Sequence, residues 1–213
     1  MPLDSAIPFI ASPNFSSRDG RSVVGTVVHY TAGGRASGSI RWLCMPEARA
    51  SAHFVISRDG RTTQLVELDM KAWHAGVSEM QVGQEILSDA GRFTVGVELA
   101  NCGLLHKVGE DFFYEVGRDL KKYAGPEPQR AELKYDDGHS VEGWWEPYPD
   151  AQMDALQDLL RKMTARGYGT AASNLIGHEE VAMPLGRKTD PGALFDWNRF
   201  GRKSCRRTSA GLL

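Results

Sequence analysis

Cysteine is scarce and unpaired in this 213-residue chain: Cys44, Cys102 and Cys205 form no CxxC pair, and their odd number argues against a disulfide framework. Synthesis in a reducing compartment is the expectation that follows. No apolar run is long enough to span a bilayer, so no membrane insertion is expected. Met1 to Ile10 carries Asp4 and two prolines where an export signal would place positive charge followed by an apolar stretch. Synthesis in the cytoplasm without a signal peptide is therefore expected, and any action outside would need another protein to release this one. A large charge of one sign is also missing: the formal net charge is -2, which supplies no cationic field to hold nucleic acid. Internal repeats and low-complexity linkers are absent as well, and 41% hydrophobic content suffices for one ordinary core. One domain over 1–213 is expected, with its core at about 12–200, an elaborated loop or hairpin insertion at 103–145 and a basic tail at 201–213.

The apolar segments are short and β-branched. Ser22 to Tyr30 predicts a buried strand that delivers His29 to the Thr31-Ala32-Gly33-Gly34 loop. Ser37 to Met45 predicts a short helix halted by Pro46. His53 to Ser57 and Thr62 to Val66 flank Asp59-Gly60, a pair suited to a tight hairpin turn. Phe93 to Leu99 is a nearly continuous apolar strand in which Glu98 is the one charged residue. Gly103 to Trp145 is polar and aromatic, with a further hairpin turn at Asp137-Gly138. After Asp150, the residues Met153, Leu156, Leu159, Leu160 and Met163 recur at helical spacing, and Gly167 is a natural stop. Asn174 to Gly177 predicts a last strand, leading to His178 and an irregular stretch that ends at Lys188-Thr189-Asp190-Pro191-Gly192. Strands alternating with helices imply an α/β fold with a mixed central β-sheet flanked by helices.

His29 and His178 each follow a short apolar strand, and Asp190 stands in a Pro-Gly loop. Two imidazoles and one carboxylate are a donor set for catalytic zinc, which takes three protein ligands and keeps its fourth position for water. On spacing alone, each histidine reads more readily as an ordinary partly buried residue, because the three positions lie far apart in the chain.

Six segments occur in one order: His29-Tyr30-Thr31; Ser51 to Ile56 with Arg58-Asp59-Gly60; Trp73-His74-Ala75-Gly76; Val95 to Leu99; Ile176-Gly177-His178; and Asp190-Pro191-Gly192. Together, from about Ser12 to Trp197, they resemble the N-acetylmuramoyl-L-alanine amidase type 2 family, which includes bacterial AmpD enzymes, phage lysozyme-like amidases and animal peptidoglycan recognition proteins. The resemblance implies that His29, His178 and Asp190 bind Zn2+ and that Glu98 is the general acid/base. It further implies that Lys188 steadies the developing oxyanion. Tyr30, Trp73 and His74 are candidate substrate contacts, with packing an equal reading for His74 beside its aromatic neighbour. The substrate implied is peptidoglycan or a muropeptide, cut between muramic acid and L-alanine, and a monomer is expected. One departure is Ala52, where some phage members place a catalytic tyrosine, so more of the work falls to Glu98 or Tyr30.

His53, among Phe54, Val55 and Ile56, is expected in the core, as are Trp144, Trp145 and Tyr148. A binding module without activity is the main rival function, and zinc peptidases or deaminases lack support because neither an HExxH helix nor a paired-cysteine motif is present. The long 103–145 elaboration and the tail basic residues Arg199, Arg202, Lys203, Arg206 and Arg207 favour a phage endolysin acting on the cell wall after release, over a cytoplasmic enzyme acting on anhydro-muropeptides.

Overall fold

The computed structural model describes residues 2–202, so Lys203, Cys205, Arg206 and Arg207 of the basic tail lie outside the described residues. In chain order, β1 (Phe15–Ser17) and β2 (Gly25–Tyr30) precede α1 (Ala36–Leu43). Then come β3 (Phe54–Ile56), β4 (Thr62–Gln64), β5 (Met70–Ala72), the hairpin of β6 (Glu79–Val82) and β7 (Glu85–Ser88), and β8 (Thr94–Leu99). They are followed by β9 (Leu104–Val108), β10 (Asp111–Val116), β11 (Asp119–Lys122), β12 (Gln129–Lys134) and β13 (Ser140–Trp145). α2 (Asp150–Ala165), β14 (Leu175–Gly177) and α3 (His178–Val181) complete the order.

The central sheet has the order β14-β2-β8-β3-β4. Its first four strands run parallel and β4 returns antiparallel from β3, so the sheet is mixed, as the sequence predicts. Parallel strands are covered on both faces, which accounts for the largely apolar runs of β2 and β8. Alternation along each strand sends successive side chains to opposite faces. Val28, Val95, Val97, Leu99, Phe54 and Ile56 pack with α2, whereas Val27 and Val55 lie in clusters on the other face. His29 and Glu98, one residue beyond Val28 and Val97, therefore point away from α2.

α2 buries the stripe Met153, Leu156, Leu159, Leu160 and Met163, each apolar side chain contributing about 1.5–3 kcal/mol when fully removed from water. Asp150 in its first turn and Lys162 in its last complement the helix dipole, and Gly167, at φ +87°, turns the chain out of the helix. The hairpin turn at Gly60 needs glycine twice over. Its φ is +84°, and a Cβ there would stand 2.7 Å from the Ala151 carbonyl oxygen at the start of α2.

Residues 103–145 are more ordered than the elaborated loop read from the sequence. They form a five-stranded antiparallel sheet, β11-β10-β9-β13-β12. β11 is exposed along its whole length and β10 has no fully buried residue, so neither shows the half-apolar alternation that marks a strand. The sheet is tied to the rest by Glu146, whose carboxylate accepts from the Cys102 amide at 2.5 Å and pairs with Arg58 at 2.8 Å.

Arg18 is a buried cation that the sequence did not single out. Its guanidinium donates to the carbonyls of Leu68, Gly91, Arg92 and Thr94, joining the start of the chain to the segments around β5 and β8. Burial pulls its pKa down to about 10, so it stays charged at neutral pH.

Leu156, fully buried against the sheet, is expected to cost about 2–5 kcal/mol of unfolding free energy when changed to alanine. Arg161→Ala, on the exposed face of the same helix, is expected to stay within about 0.5 kcal/mol. Equilibrium denaturation of the two variants checks both values.

Candidate active site

Strand register builds the site. His29 on β2 is the direct neighbour of Glu98 on β8, and Gly177 on β14 is the neighbour of Val28, so His178 follows β14 immediately beside His29. All three strands run parallel and end at one edge, the side on which open α/β sheets bind their ligands. His178 is the first residue of α3, a helix that the sequence reading missed because it is only four residues long. Asp190 arrives from the loop that follows, and its backbone oxygen accepts from the Glu179 amide at 3.0 Å.

The three residues read from the sequence as a donor set do converge. Nδ1 of His29 and Nδ1 of His178 are 3.0 Å apart, and Asp190 Oδ2 lies 2.9 Å from the first and 2.8 Å from the second. All three side chains are buried, and they are the one grouping of this kind among the described residues. Burial, then the neighbouring His178 ring, pull the His29 pKa down to about 4 against the influence of Asp190, so this imidazole is neutral. Burial alone would raise the Asp190 carboxyl, but the two histidines outweigh it and hold the group below the usual carboxylate range. Nε2 of His178 faces the Ala75 carbonyl at 3.3 Å. That contact needs the proton on Nε2 and leaves the Nδ1 lone pair directed at the other two donors, the second contact expected of a metal-binding histidine. Two imidazoles and an ionised carboxylate, crowded together, fit a divalent cation of the zinc type.

Glu98 stands beside this cluster. Its Oε2 atom is buried without a hydrogen-bond partner among the described residues. Burial and the charge of Asp190 push its carboxyl well above the ordinary range, and Lys188 opposes the shift. Lys188 thus lies close enough to influence both Glu98 and His29.

The loop carrying Lys188 and Asp190 is held by three tyrosine hydroxyls from separate elements. Tyr135, in the turn between β12 and β13, donates to the Lys188 carbonyl at 2.8 Å. Tyr30 lies 2.5 Å from the Thr189 hydroxyl, and Tyr148 donates to the Pro191 carbonyl at 2.7 Å. Trp145 packs against Gly192, where a Cβ would meet its ring at 2.8 Å. The sequence reading missed Tyr135, since nothing in a tyrosine beside an Asp-Gly turn shows which distant loop its hydroxyl meets.

The remaining residues separate. His74 is drawn into the cluster, with Nδ1 at 3.0 Å from His29 Nε2. Trp73 is half-exposed and its indole N–H donates to Ser16 on β1 at 3.2 Å. Tyr30 is engaged with Thr189, and burial raises its phenol pKa. Ala52 is fully buried in the cluster beneath α1, and His53 is a core residue whose Nδ1 accepts from the Gly96 amide at 2.9 Å.

Comparison with known proteins agrees with this architecture. Residues 19–193 match the family model described as N-acetylmuramoyl-L-alanine amidase. The 1,6-anhydro-N-acetylmuramyl-L-alanine amidase AmpD of Salmonella typhimurium is 34% identical over 152 residues, covering 71% of this chain and 56% of that protein. The chain thus spans a little over half the length of that relative. A crystal structure of a selenomethionine AmpD derivative superposes with a TM-score of 0.59 at 27% identity, covering 94% of this chain and 98% of the other. The Escherichia coli amidase AmiD, solved with anhydro-N-acetylmuramic acid-L-Ala-D-gamma-Glu-L-Lys, has the same fold at a TM-score of 0.59 and 23% identity, covering 88% and 65%. With more than half of its length matched to the family model and a third of the aligned residues shared with AmpD, this chain belongs to the N-acetylmuramoyl-L-alanine amidase family.

Proposed function

We propose that the chain is a zinc-dependent amidase that hydrolyses the bond between N-acetylmuramic acid and L-alanine, with soluble anhydro-muropeptides as its substrates. The observation that carries this reading is the convergence of His29, His178 and Asp190 beside a buried, unpartnered glutamate oxygen. Zinc bound there supplies a Lewis acid for the scissile carbonyl and a water acidic enough to ionise near neutral pH.

The chain's own residues supply the proton traffic. Glu98 Oε2 is placed to take a proton and return it to the departing alanine nitrogen, and its raised pKa favours a group that must both accept and release. The Lys188 ammonium offers positive charge to the oxyanion of the tetrahedral intermediate, a contribution of about 3 kcal/mol for one donor in comparable sites. The tyrosine-held loop keeps Lys188 and Asp190 in fixed relation, which limits the reorganisation needed during the reaction.

The substrate assignment departs from the endolysin expected from the sequence. The 34%-identical relative is an anhydro-muropeptide amidase by name, and this supports the recycling role, with its cytoplasmic setting, over wall lysis. The features behind the endolysin expectation carry less weight in the fold. Within the described part of the tail, Arg199 pairs with Asp150 and Asp154, and Arg202 pairs with Glu180. Those charges are engaged within the protein.

Metal analysis of the purified protein is expected to give about one zinc per chain, and His178→Ala is expected to lose both metal and hydrolysis. A wild type that hydrolyses at full rate without metal would overturn the assignment. Glu98→Gln should retain zinc while turnover falls by about 10²–10⁴-fold; equal loss of metal would make Glu98 part of the binding site instead. Release of free stem peptide should be faster from soluble anhydro-muropeptides than from intact sacculi. The opposite preference restores the endolysin, and binding without any release identifies a recognition module.

A further inference from the structure

A histidine bound to a metal through one nitrogen must keep its proton on the other, and at His29 the two sides compete. Asp190 Oδ2, 2.9 Å from Nδ1, draws the proton toward the centre of the cluster. On the far side, Nε2 meets another ring nitrogen, His74 Nδ1, at 3.0 Å. Which nitrogen keeps the proton depends on what His74 can accept, and the surroundings of His74 decide that.

The order of donors is fixed from the backbone inward. The Thr94 hydroxyl donates to the Ala90 carbonyl at 2.8 Å, so its proton is committed and its oxygen offers only lone pairs. His74 Nε2, 3.4 Å from that oxygen, therefore satisfies the contact by carrying a proton. A neutral His74 with its proton on Nε2 presents a lone pair at Nδ1. The ring is also fixed in place: it crosses β8 at Gly96, where a Cβ would stand 2.4–2.8 Å from its atoms. Glycine inside an otherwise apolar parallel strand is explained by this crossing.

We propose that His74 is a positioning residue that accepts the Nε2 proton of His29, and that the relay Ala90–Thr94–His74–His29 thereby turns the His29 Nδ1 lone pair toward the metal. The relay rests on the metal-centre reading above for its purpose. It is a different role from the substrate contact that the sequence suggested for His74.

The test uses the full chain, zinc ions alone as ligand, and two readouts independent of turnover. Zinc affinity is measured by competition with a chromophoric chelator, and the tautomer of His29 is read from its imidazole 15N shifts in the metal-free protein. His74→Phe keeps an aromatic ring over Gly96 but removes the acceptor. It is expected to lower zinc affinity by about 10–100-fold, as for other residues that orient a metal ligand, and to move the His29 proton from Nε2 toward Nδ1. His74→Asn, whose amide oxygen can take the place of Nδ1, should recover part of both. Gly96→Ala, which displaces the ring without altering its chemistry, should reproduce the loss even if His74→Phe fails to fold. Zinc affinity and His29 shifts unchanged in both His74→Phe and Gly96→Ala would overturn the proposal, as would a wild type whose His29 carries its proton on Nδ1. A wild type that binds no zinc yet shows the Nε2-protonated His29 would sink the metal-centre reading and leave the tautomer lock standing.

Discussion

Two imidazole nitrogens and a carboxylate oxygen lie within 2.8–3.0 Å of one another in a buried pocket, and much of the fold serves to keep them there. Such crowding is costly without compensation, since buried polar atoms need partners and buried charge needs its opposite. Protons meet the need poorly: the contact of His178 with Ala75 uses that ring's proton on the outer nitrogen. A cation would meet it, and two imidazoles beside a carboxylate are a donor set that a cation accepts.

The constraint reaches outward through the parallel sheet. Because β2, β8 and β14 are in register and share one direction, residues far apart in sequence emerge at neighbouring points on one edge. A slip of one residue in β2 would turn His29 onto the face packed by α2 and Val28 onto the site. The apolar side chains on both faces oppose that slip, so the packing of Val28 among the α2 contacts also determines where His29 points. Core and site are in this sense one structure, with the same alternation serving both.

That linkage explains what could be read from the sequence. His29, Glu98 and His178 sit in or just after strongly apolar runs, where a polar residue stands out against its neighbours, and Asp190 follows a short loop with recognisable turn residues. α2 was legible because its apolar stripe follows a helical period over four turns. The strands of the 103–145 sheet were not, because β10 and β11 bury little and lack a period of two. His74 was noticed, but its direction was not: the contacts that define it run to Thr94 and Gly96 on another strand, and tertiary neighbours of this kind leave no local pattern.

The 103–145 sheet shows how a feature can be visible in the sequence while its place in the fold is not. As a long polar and aromatic elaboration it favoured a phage endolysin over a cytoplasmic enzyme. In the fold, Leu133, Tyr135 and Trp145 form a cluster with Tyr30, Ala193 and Leu194, against the segment that carries Lys188 and Asp190. Tyr135 reaches the Lys188 carbonyl from the turn between β12 and β13, where His139 stacks on its ring at 4.2 Å. Loops that bear catalytic groups are drawn from the less stable parts of a structure, and a loop with a lysine and an aspartate two residues apart needs both carbonyls and side chains fixed. Three hydroxyls from three elements do this with directional bonds, which apolar packing alone would not provide. The elaboration thus packs against the loop that carries Lys188 and Asp190 and bonds it through Tyr135.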